Sequence, residues 1–412
     1  MKSARLVAFE ALHKIFYDSS YSNIALDSAL SNVTEEKAFI SALVYGVVER
    51  KLTLDYFINK YITSKPKPKI MTILRLGAYQ LLFMDKIPSS AAINESVKLA
   101  KEIKQDYYSK LVNAVLHKID EDRNIPDDLS VKYSVPENLI NMWKKQYGDD
   151  VTEQFLPFVN GRPPIFAVPN TSYVEDADEL LYELECYGIS GEVVDGLVMI
   201  TSPFDLTASK AFLNGLFHIE DMSSYKCACA LQACEGDVVL DMCSAPGGKA
   251  CTIAQKLNGN GSVYCYDLHA HRLKLIDDTA KRLGIEIIKT AVNDATVFNG
   301  EIPKADRILC DVPCSGFGII RRKPEIRYKT LDSVKELPNL QLKILTASSM
   351  YLKSGGVLVY STCTLNKKEN ERVVESFLSA NSNFKITEEK TIFPSKCGGD
   401  GFYYAVLKKN EN

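Results

Sequence analysis

The chain has 412 residues, of which 46% are hydrophobic and 25% charged, and a formal net charge of −3 from 49 Lys+Arg against 52 Asp+Glu. That length predicts two or three domains, and that balance excludes disordered, collagen-like and acidic-tail proteins. It also excludes a globally basic protein, although not a local basic face.

At the N-terminus Lys2, Arg5, Glu10 and Lys14 interrupt the apolar residues, so no signal peptide is expected. Leu6, Phe9, Leu12 and Phe16 share one face of a helix. Thr34, followed by Glu35 and Glu36, predicts a helix start with an oxygen cap and acids in the first turn. That helix runs through Phe39, Leu43 and Val47. Lys65-Pro66-Lys67-Pro68-Lys69 breaks the pattern, because proline removes a donor and restricts the residue before it. Helical patterning resumes from Met71 to Met84, stops at Pro88 and continues from Ala91 to Ile119. The segment therefore reads as an all-α domain. Residues 1–119 hold 17 Lys+Arg and 11 Asp+Glu, a local charge of +6 on an acidic remainder. Such a module suits an anionic partner such as RNA, and a solvated basic surface would give the same count.

Residues 120–137, rich in Asp, Pro and Ser, read as a linker. Glu137 to Tyr147 is a predicted helix and holds the only tryptophan, Trp143. Between Ile165 and Ala233, short strands (Ile165–Val168, Val193–Ile200) mix with helices (Ala177–Tyr187, Thr207–Leu213), a small α+β segment. From Val238 onward strands alternate with helices. The strands are Val238–Met242, Ser262–Tyr266, Ile285–Lys289, Arg307–Cys310 and Val357–Tyr360. The helices are Lys249–Leu257, His271–Leu283 and Asn339–Leu352. This alternation predicts an α/β layered fold with a largely parallel sheet. A last strand, Phe402–Leu407, follows Gly398-Gly399-Asp400-Gly401 and is expected at the sheet edge as a hairpin partner. No apolar run of about 18 residues predicts a membrane span. Eleven irregularly spaced cysteines fit reduced thiols in a cytoplasmic protein better than a disulfide scaffold.

Open α/β sheets bind ligands at the carboxyl ends of their strands, so those ends carry the candidate chemistry. The first strand ends in Asp241-Met242-Cys243-Ser244-Ala245-Pro246-Gly247-Gly248-Lys249. Two glycines let the backbone approach a ligand, and a helix starts at once. The loop is neither a P-loop, since position 243 is Cys and Ala250 follows the lysine, nor a dinucleotide fingerprint. The second strand ends at Asp267, 19 residues past Gly248, the spacing of an acid that accepts ribose hydroxyls. The third leads to Asp294, placed to meet an adenine amino group. In order, these describe an adenosyl site without a pyrophosphate, which S-adenosylmethionine fits better than NAD. Ordinary loop-capping acids are the plainer alternative for each residue alone.

The fourth strand ends in Asp311-Val312-Pro313-Cys314-Ser315-Gly316, the fifth in Ser361-Thr362-Cys363-Thr364. Two cysteines thus share one ligand-facing edge, where a lone cysteine would read as packing. Covalent methylation of cytosine needs such a set. A thiolate adds to C6, C5 becomes enamine-like and takes a methyl group, and a second group assists expulsion of the thiol. Asp311 is positioned to stabilise charge at ring N3. The residues alone leave open which cysteine attacks. Metal ligation is not expected, since there is no C-x-x-C pair and five scattered histidines. Arg321-Arg322-Lys323 follows the Cys314 loop and would hold RNA phosphates beside a nucleobase site.

Asp241–Lys249, Asp311–Ser315 and Ser361–Cys363 resemble the motifs of RNA (cytosine-5) methyltransferases. Gly77-Ala78-Tyr79-Gln80-Leu81-Leu82-Phe83, with Ile87-Pro88 and Ala92-Ile93-Asn94-Glu95-Ser96-Val97, resembles the NusB-type helical RNA-binding fold. Together, with Arg321–Ile326 and Gly399–Tyr404, they resemble the bacterial Sun/Fmu subgroup acting on 16S rRNA. The resemblance covers nearly the whole chain. It implies a multi-domain protein: an all-α NusB-like domain over 1–125, a small α+β RNA-binding segment over 135–235, and an α/β Rossmann-like S-adenosylmethionine-dependent methyltransferase domain over 236–412. It implies methylation of C5 of a 16S rRNA cytosine of the position-967 type, in a cytoplasmic monomer without a membrane or metal partner. Cys243, Ser244, Ala245, Pro246, Gly247, Gly248, Lys249, Asp267, Asp294 and Asp311 would line the cofactor pocket. Cys363 would be the nucleophile and Cys314 would assist release. Two positions depart from the subgroup: Ala167 stands where arginine is usual, and Glu220 where glutamine is commoner. The alternatives are a cytosine-5 methyltransferase of tRNA or 23S rRNA, a non-catalytic ribosome-assembly factor, and a nucleotide-dependent dehydrogenase.

Overall fold

Helical spacing of apolar residues buries one face of each helix in the first third of the chain. The computed structural model describes all residues except 1, 19, 32, 203, 204 and 412. The chain forms two units, residues 1–161 with 320–329, and residues 162–319 with 330–412.

The first unit is helical. Its first seven α-helices span Ala4–Tyr17, Ser22–Leu30, Lys37–Glu49, Lys51–Tyr61, Pro68–Phe83, Ser89–Glu102 and Ser109–Glu121. Leu12, Val44, Phe57, Leu74 and Leu116 lie fully buried in their common core. Pro68 opens its helix because a first-turn N–H has no partner to lose. Thr34 does not cap a helix. The helix begins at Lys37, preceded by Glu36 in the left-handed region with φ 58°. The pattern expected to run unbroken from Ala91 to Ile119 is interrupted at Ile103, where Lys104 takes φ 58° and Gln105 N–H donates to the Ala100 carbonyl. Short helices Leu129–Tyr133, Glu137–Tyr147 and Asp149–Phe155 follow, with Trp143 buried edge-to-face on Phe155.

Residues 320–329 join this unit through Arg327, whose side chain is almost wholly buried. Its guanidinium donates to the carbonyls of Glu49, Ser134, Val159 and Ile320, and to Asn160 Oδ1 at 2.8 Å. Ser22 Oγ donates to Glu325 at 2.6 Å, and Tyr328 Oη to the Val48 carbonyl at 2.7 Å.

The second unit holds two sheets. Strands β1 (Ile165–Pro169), β2 (Gly191–Val194), β3 (Leu197–Ile200) and β4 (Phe217–Ile219) form an antiparallel sheet in the order β2-β3-β1-β4. The single strand expected over Val193–Ile200 is a hairpin. Asp195 and Gly196, both at positive φ, turn it tightly.

The larger sheet contains β5 (Val238–Asp241), β6 (Ser262–Asp267), β7 (Ile288–Val292), β8 (Ala305–Asp311), β9 (Leu352–Thr362), β10 (Phe384–Ile392) and β11 (Phe402–Lys409). Its order is β10-β11-β9-β8-β5-β6-β7. Strands β5 to β9 pair in parallel, and β11 runs antiparallel to β9. The edge position expected for Phe402–Leu407 is taken by β10, and β11 is interior. Burial alternates across the sheet, with Leu240, Ile308, Leu358 and Tyr360 in one apolar layer and Val239, Leu309 and Val359 in the other. Helices Gly248–Lys256 and Ala270–Leu283 follow β5 and β6. All five parallel strands end at one edge, which gathers Asp241, Asp267, Asp311 and Cys363.

Candidate active site

The loop after β5 folds tightly from buried Asp241 to the helix at Gly248. Gly247 sits at φ 104°, and a Cβ there would lie 3.1 Å from Ile276, so both backbone and space require glycine. Cys243 is half-buried, Ser244 and Ala245 buried, Pro246 exposed. Burial, with Asp311 adding repulsion, pushes the Asp241 carboxyl up to about 7. Its Oδ1 finds no hydrogen-bond partner among the described residues, and neither does the buried Nδ2 of Asn293, just past β7.

Asp267, 4% exposed, closes β6. Its carboxylate accepts the His269 N–H at 2.9 Å and pairs with Arg272 at 2.9 Å. Arg272 also donates to the Ala245 carbonyl at 2.8 Å, tying this acid to the glycine loop. Asp294 is exposed, and its Oδ1 accepts from both the N–H and the hydroxyl of Thr296, which hold it below the usual carboxylate range. At this strand end the buried polar group is thus Asn293. Unpartnered buried oxygen and nitrogen atoms beside a glycine loop and a strand-end acid fit an adenosyl cofactor.

Lys249 points from the first turn of its helix to Asp311 at the end of β8, Nζ to Oδ2 at 2.7 Å. Burial opposes its charge, but Asp311, Cys227 and Glu220 more than offset that and raise its pKa. The Ser361 hydroxyl donates to Asp311 Oδ1 at 2.8 Å. Beneath the helix, buried Glu220 accepts from Thr252 and Ser224, each at 2.6 Å. Burial opposes its charge too, but His218, Lys249 and Ser224 hold it below the usual range.

Adjacent parallel strands bring the two cysteines together. Cys314 Sγ lies 3.1 Å from Cys363 Sγ, and both residues are partly exposed. The neighbouring sulfur and burial push the Cys314 thiol well up. Gly318 N–H donates to the Cys363 carbonyl at 3.1 Å, and a Cβ on Gly318 would collide with that carbonyl and with Gly401. Ser315 Oγ and Thr364 Oγ1 meet at 2.7 Å.

Several residues with clear contacts here escaped sequence reasoning: Asn293, Arg272, Glu369 and Asn370. The polar run Asn366–Glu371 directly after Cys363 was the available signal for the last two. Of the basic run, Arg321 is buried at 7% exposure, Arg322 half-buried and Lys323 exposed, so only the latter two offer a face to a phosphate. Among the described residues no group of three or more His, Cys, Asp and Glu could hold a metal ion, and no helix is long and apolar enough to cross a membrane.

Residues 228–408 match the family model described as 16S rRNA methyltransferase RsmB/F, and residues 2–121 match that of the NusB family. The chain is 34% identical to the probable ribosomal RNA small subunit methyltransferase B of Bacillus subtilis, over 99% of both chains. It is 30% identical to ribosomal RNA small subunit methyltransferase B of Photorhabdus laumondii, over 98% of both. The solved structure of PH0851 superposes with a TM-score of 0.82 at 26% identity, covering 99% of each chain. The structure of NSun6 from Pyrococcus horikoshii with SFG shares the fold, with a TM-score of 0.60 at 22% identity over 67% of this chain and 99% of that one.

Proposed function

The chain belongs to the RsmB/F family of 16S rRNA methyltransferases, and on that premise we propose that it methylates C5 of a cytosine in 16S rRNA, of the position-967 type, through a covalent bond between Cys363 and C6. The observation that carries this reading is the pairing of two thiols 3.1 Å apart at the ends of adjacent parallel strands, beside Asp311.

S-adenosylmethionine supplies the electrophilic methyl group. Asp267 takes the ribose hydroxyls, Asp241, Asn293 and the loop from Cys243 to Lys249 line its pocket, and Asp294 stands at its rim. Cys363 adds to C6, which makes C5 nucleophilic. Asp311, held by Lys249 and Ser361, faces ring N3 and stabilises the charge that develops there. After methyl transfer Cys314, as its thiolate, takes the C5 proton. The C5–H electron pair restores the C5=C6 double bond, the C6–S bond breaks and Cys363 leaves as a thiolate. The target base leaves its stack so that C6 can be attacked perpendicular to the ring.

The helical unit, with its local charge of +6 over residues 1–119, binds rRNA, and Arg322 and Lys323 add phosphate contacts. The protein works in the cytoplasm, where its substrate is. Tritium transfer from labelled S-adenosylmethionine to small-subunit rRNA, followed by bisulfite mapping, tests the reading. One cytosine methylated at C5 is expected. Methylation of tRNA or 23S rRNA alone, or of another atom, contradicts it.

A further inference from the structure

Glu369 and Asn370 adjoin in sequence, and each brackets a different active-site cysteine. The peptide group before Cys314 presents the Pro313 carbonyl to Gln341 Nε2 at 2.9 Å, and that same nitrogen donates to Glu369 Oε2 at 3.0 Å. The peptide group after Cys314 presents the Ser315 N–H to Glu369 Oε2 at 2.8 Å. The Ser315 hydroxyl and Asn366 Nδ2 donate to the other oxygen at 2.6 and 2.9 Å. The fully buried Glu369 carboxylate therefore meets four donors, and the backbone on both sides of Cys314 is tied to it.

Asn370 does the same for Cys363 with an amide. The Thr362 hydroxyl donates to its Oδ1 at 2.6 Å, and its Nδ2 donates to the Thr364 carbonyl at 2.9 Å. Both ends of the amide are used, with opposite polarity, on the two residues that flank the cysteine. Thr364 Oγ1 also accepts the Phe317 N–H at 3.2 Å and meets Ser315 Oγ at 2.7 Å, so the residue after Cys363 is tied to the loop after Cys314. Tyr360 Oη donates to the Glu369 carbonyl at 2.5 Å and fixes the backbone of the pair itself.

We propose that Glu369 and Asn370 are the positioning residues of the two active-site thiols, Glu369 setting the backbone around Cys314 and Asn370 that around Cys363. The proposal rests on the function stated above. It follows from the chemistry of the contacts: these groups are buried, so the hydrogen bonds that tie the backbone around each cysteine face little competition from water and hold their geometry. A reacting group misplaced by about 1 Å can cost about 100-fold in rate, so a rigid bracket around each sulfur has a kinetic consequence.

The two residues should therefore fail at different steps. Glu369→Gln turns one acceptor oxygen into a donor facing donors. Methyl transfer should proceed, release should slow at least about tenfold, the cost of one charge-assisted hydrogen bond, and a covalent protein–RNA adduct should accumulate. Asn370→Ala should slow single-turnover methyl transfer at least about tenfold on the same scale, with no adduct. Affinity for S-adenosylhomocysteine, measured by calorimetry, should be unchanged in both. If either variant loses that affinity, Ser315→Ala replaces Glu369→Gln and Thr362→Val replaces Asn370→Ala, with the same step-specific outcomes expected. Equal slowing of both steps by both changes, or product release at the unaltered rate in the Glu369→Gln and Ser315→Ala proteins, would overturn the proposal. The Cys314→Ala protein separates this from the function itself. If it forms no adduct, Cys314 is not the release residue and the division of labour falls with that role; if Cys363→Ala is also fully active, the covalent reading fails as well. If it does and Glu369→Gln does not, the positioning role alone falls.

Discussion

Lys249 Nζ donates to Asp311 Oδ2 at 2.7 Å, and so joins the helix after the glycine loop to the end of β8. The lysine side chain is 12% exposed and the aspartate 26%. Removing one partner of a mostly buried pair leaves an uncompensated charge. Lys249→Met should destabilise the protein by about 2–4 kcal/mol, somewhat below the range for a fully buried pair because Asp311 retains some solvent. Denaturant titration checks this. A loss under about 1 kcal/mol, the range of an exposed pair, would contradict it.

Asp241 makes stability depend on pH. Burial raises its carboxyl from 3.8 to about 7. A raised folded pKa means that the native state binds more protons than the unfolded chain between those values. The contribution of Asp241 is therefore present below about 4 and is lost as pH rises to about 7. Asp241→Asn lacks this titration. In thermal melts without cofactor, wild-type stability relative to the asparagine variant should fall from pH 4 to pH 7 and level off above. A difference that stays constant over that window would contradict the assignment.

Asp267 and Arg272 form the pair expected to answer for the ribose. Asp267→Ala should weaken S-adenosylmethionine binding about 10–100-fold, the loss of charge-assisted bonds to two hydroxyls. Arg272→Ala should cost less, since it removes a holder of the acid and not the acid. Calorimetry with S-adenosylhomocysteine separates them. Unchanged affinity in Asp267→Ala would remove that residue from the pocket.

Arg327 carries a stability prediction for the helical unit. Its guanidinium satisfies the carbonyls of Glu49, Ser134, Val159 and Ile320 together with Asn160. Arg327→Met should cost more than about 4 kcal/mol, because several buried acceptors lose their donor at once. Arg327→Lys should recover little, since an ammonium cannot reach a planar fan of acceptors. Denaturation followed by the fluorescence of Trp143 reports it. Recovery of most of the loss by lysine would show that charge, not geometry, is what the site needs.

The strand-end residues Asp241, Asp267, Asp311, Cys314 and Cys363 were legible because parallel strands with buried faces read as short apolar runs, and their ends must share an edge. Helix Glu137–Tyr147 was legible for a similar reason, an apolar stripe around Trp143 between Pro136 and Gly148. Other features left no such trace. The break at Ile103–Tyr108 depends on Lys104 in the left-handed region, which no residue type there announces. The turn at Asp195-Gly196 did carry a signal, the Asp-Gly pair, that the flanking apolar residues masked. Glu369 and Asn370 sit in a charged loop that reads as solvated. Their burial arises from the fold, which closes the loop over the two cysteines.

The most direct measurement is a denaturing gel of Cys314→Ala and Cys363→Ala, each incubated with S-adenosylmethionine and small-subunit rRNA. Only a thiolate near the base can attack C6, and the two sulfurs lie 3.1 Å apart, so removing them one at a time separates attack from release. The account predicts that Cys314→Ala methylates once and stalls as a retarded protein–RNA band, whereas Cys363→Ala gives neither band nor methylation. An adduct from Cys363→Ala with none from Cys314→Ala would exchange the two roles, and full activity in both proteins would contradict the covalent mechanism.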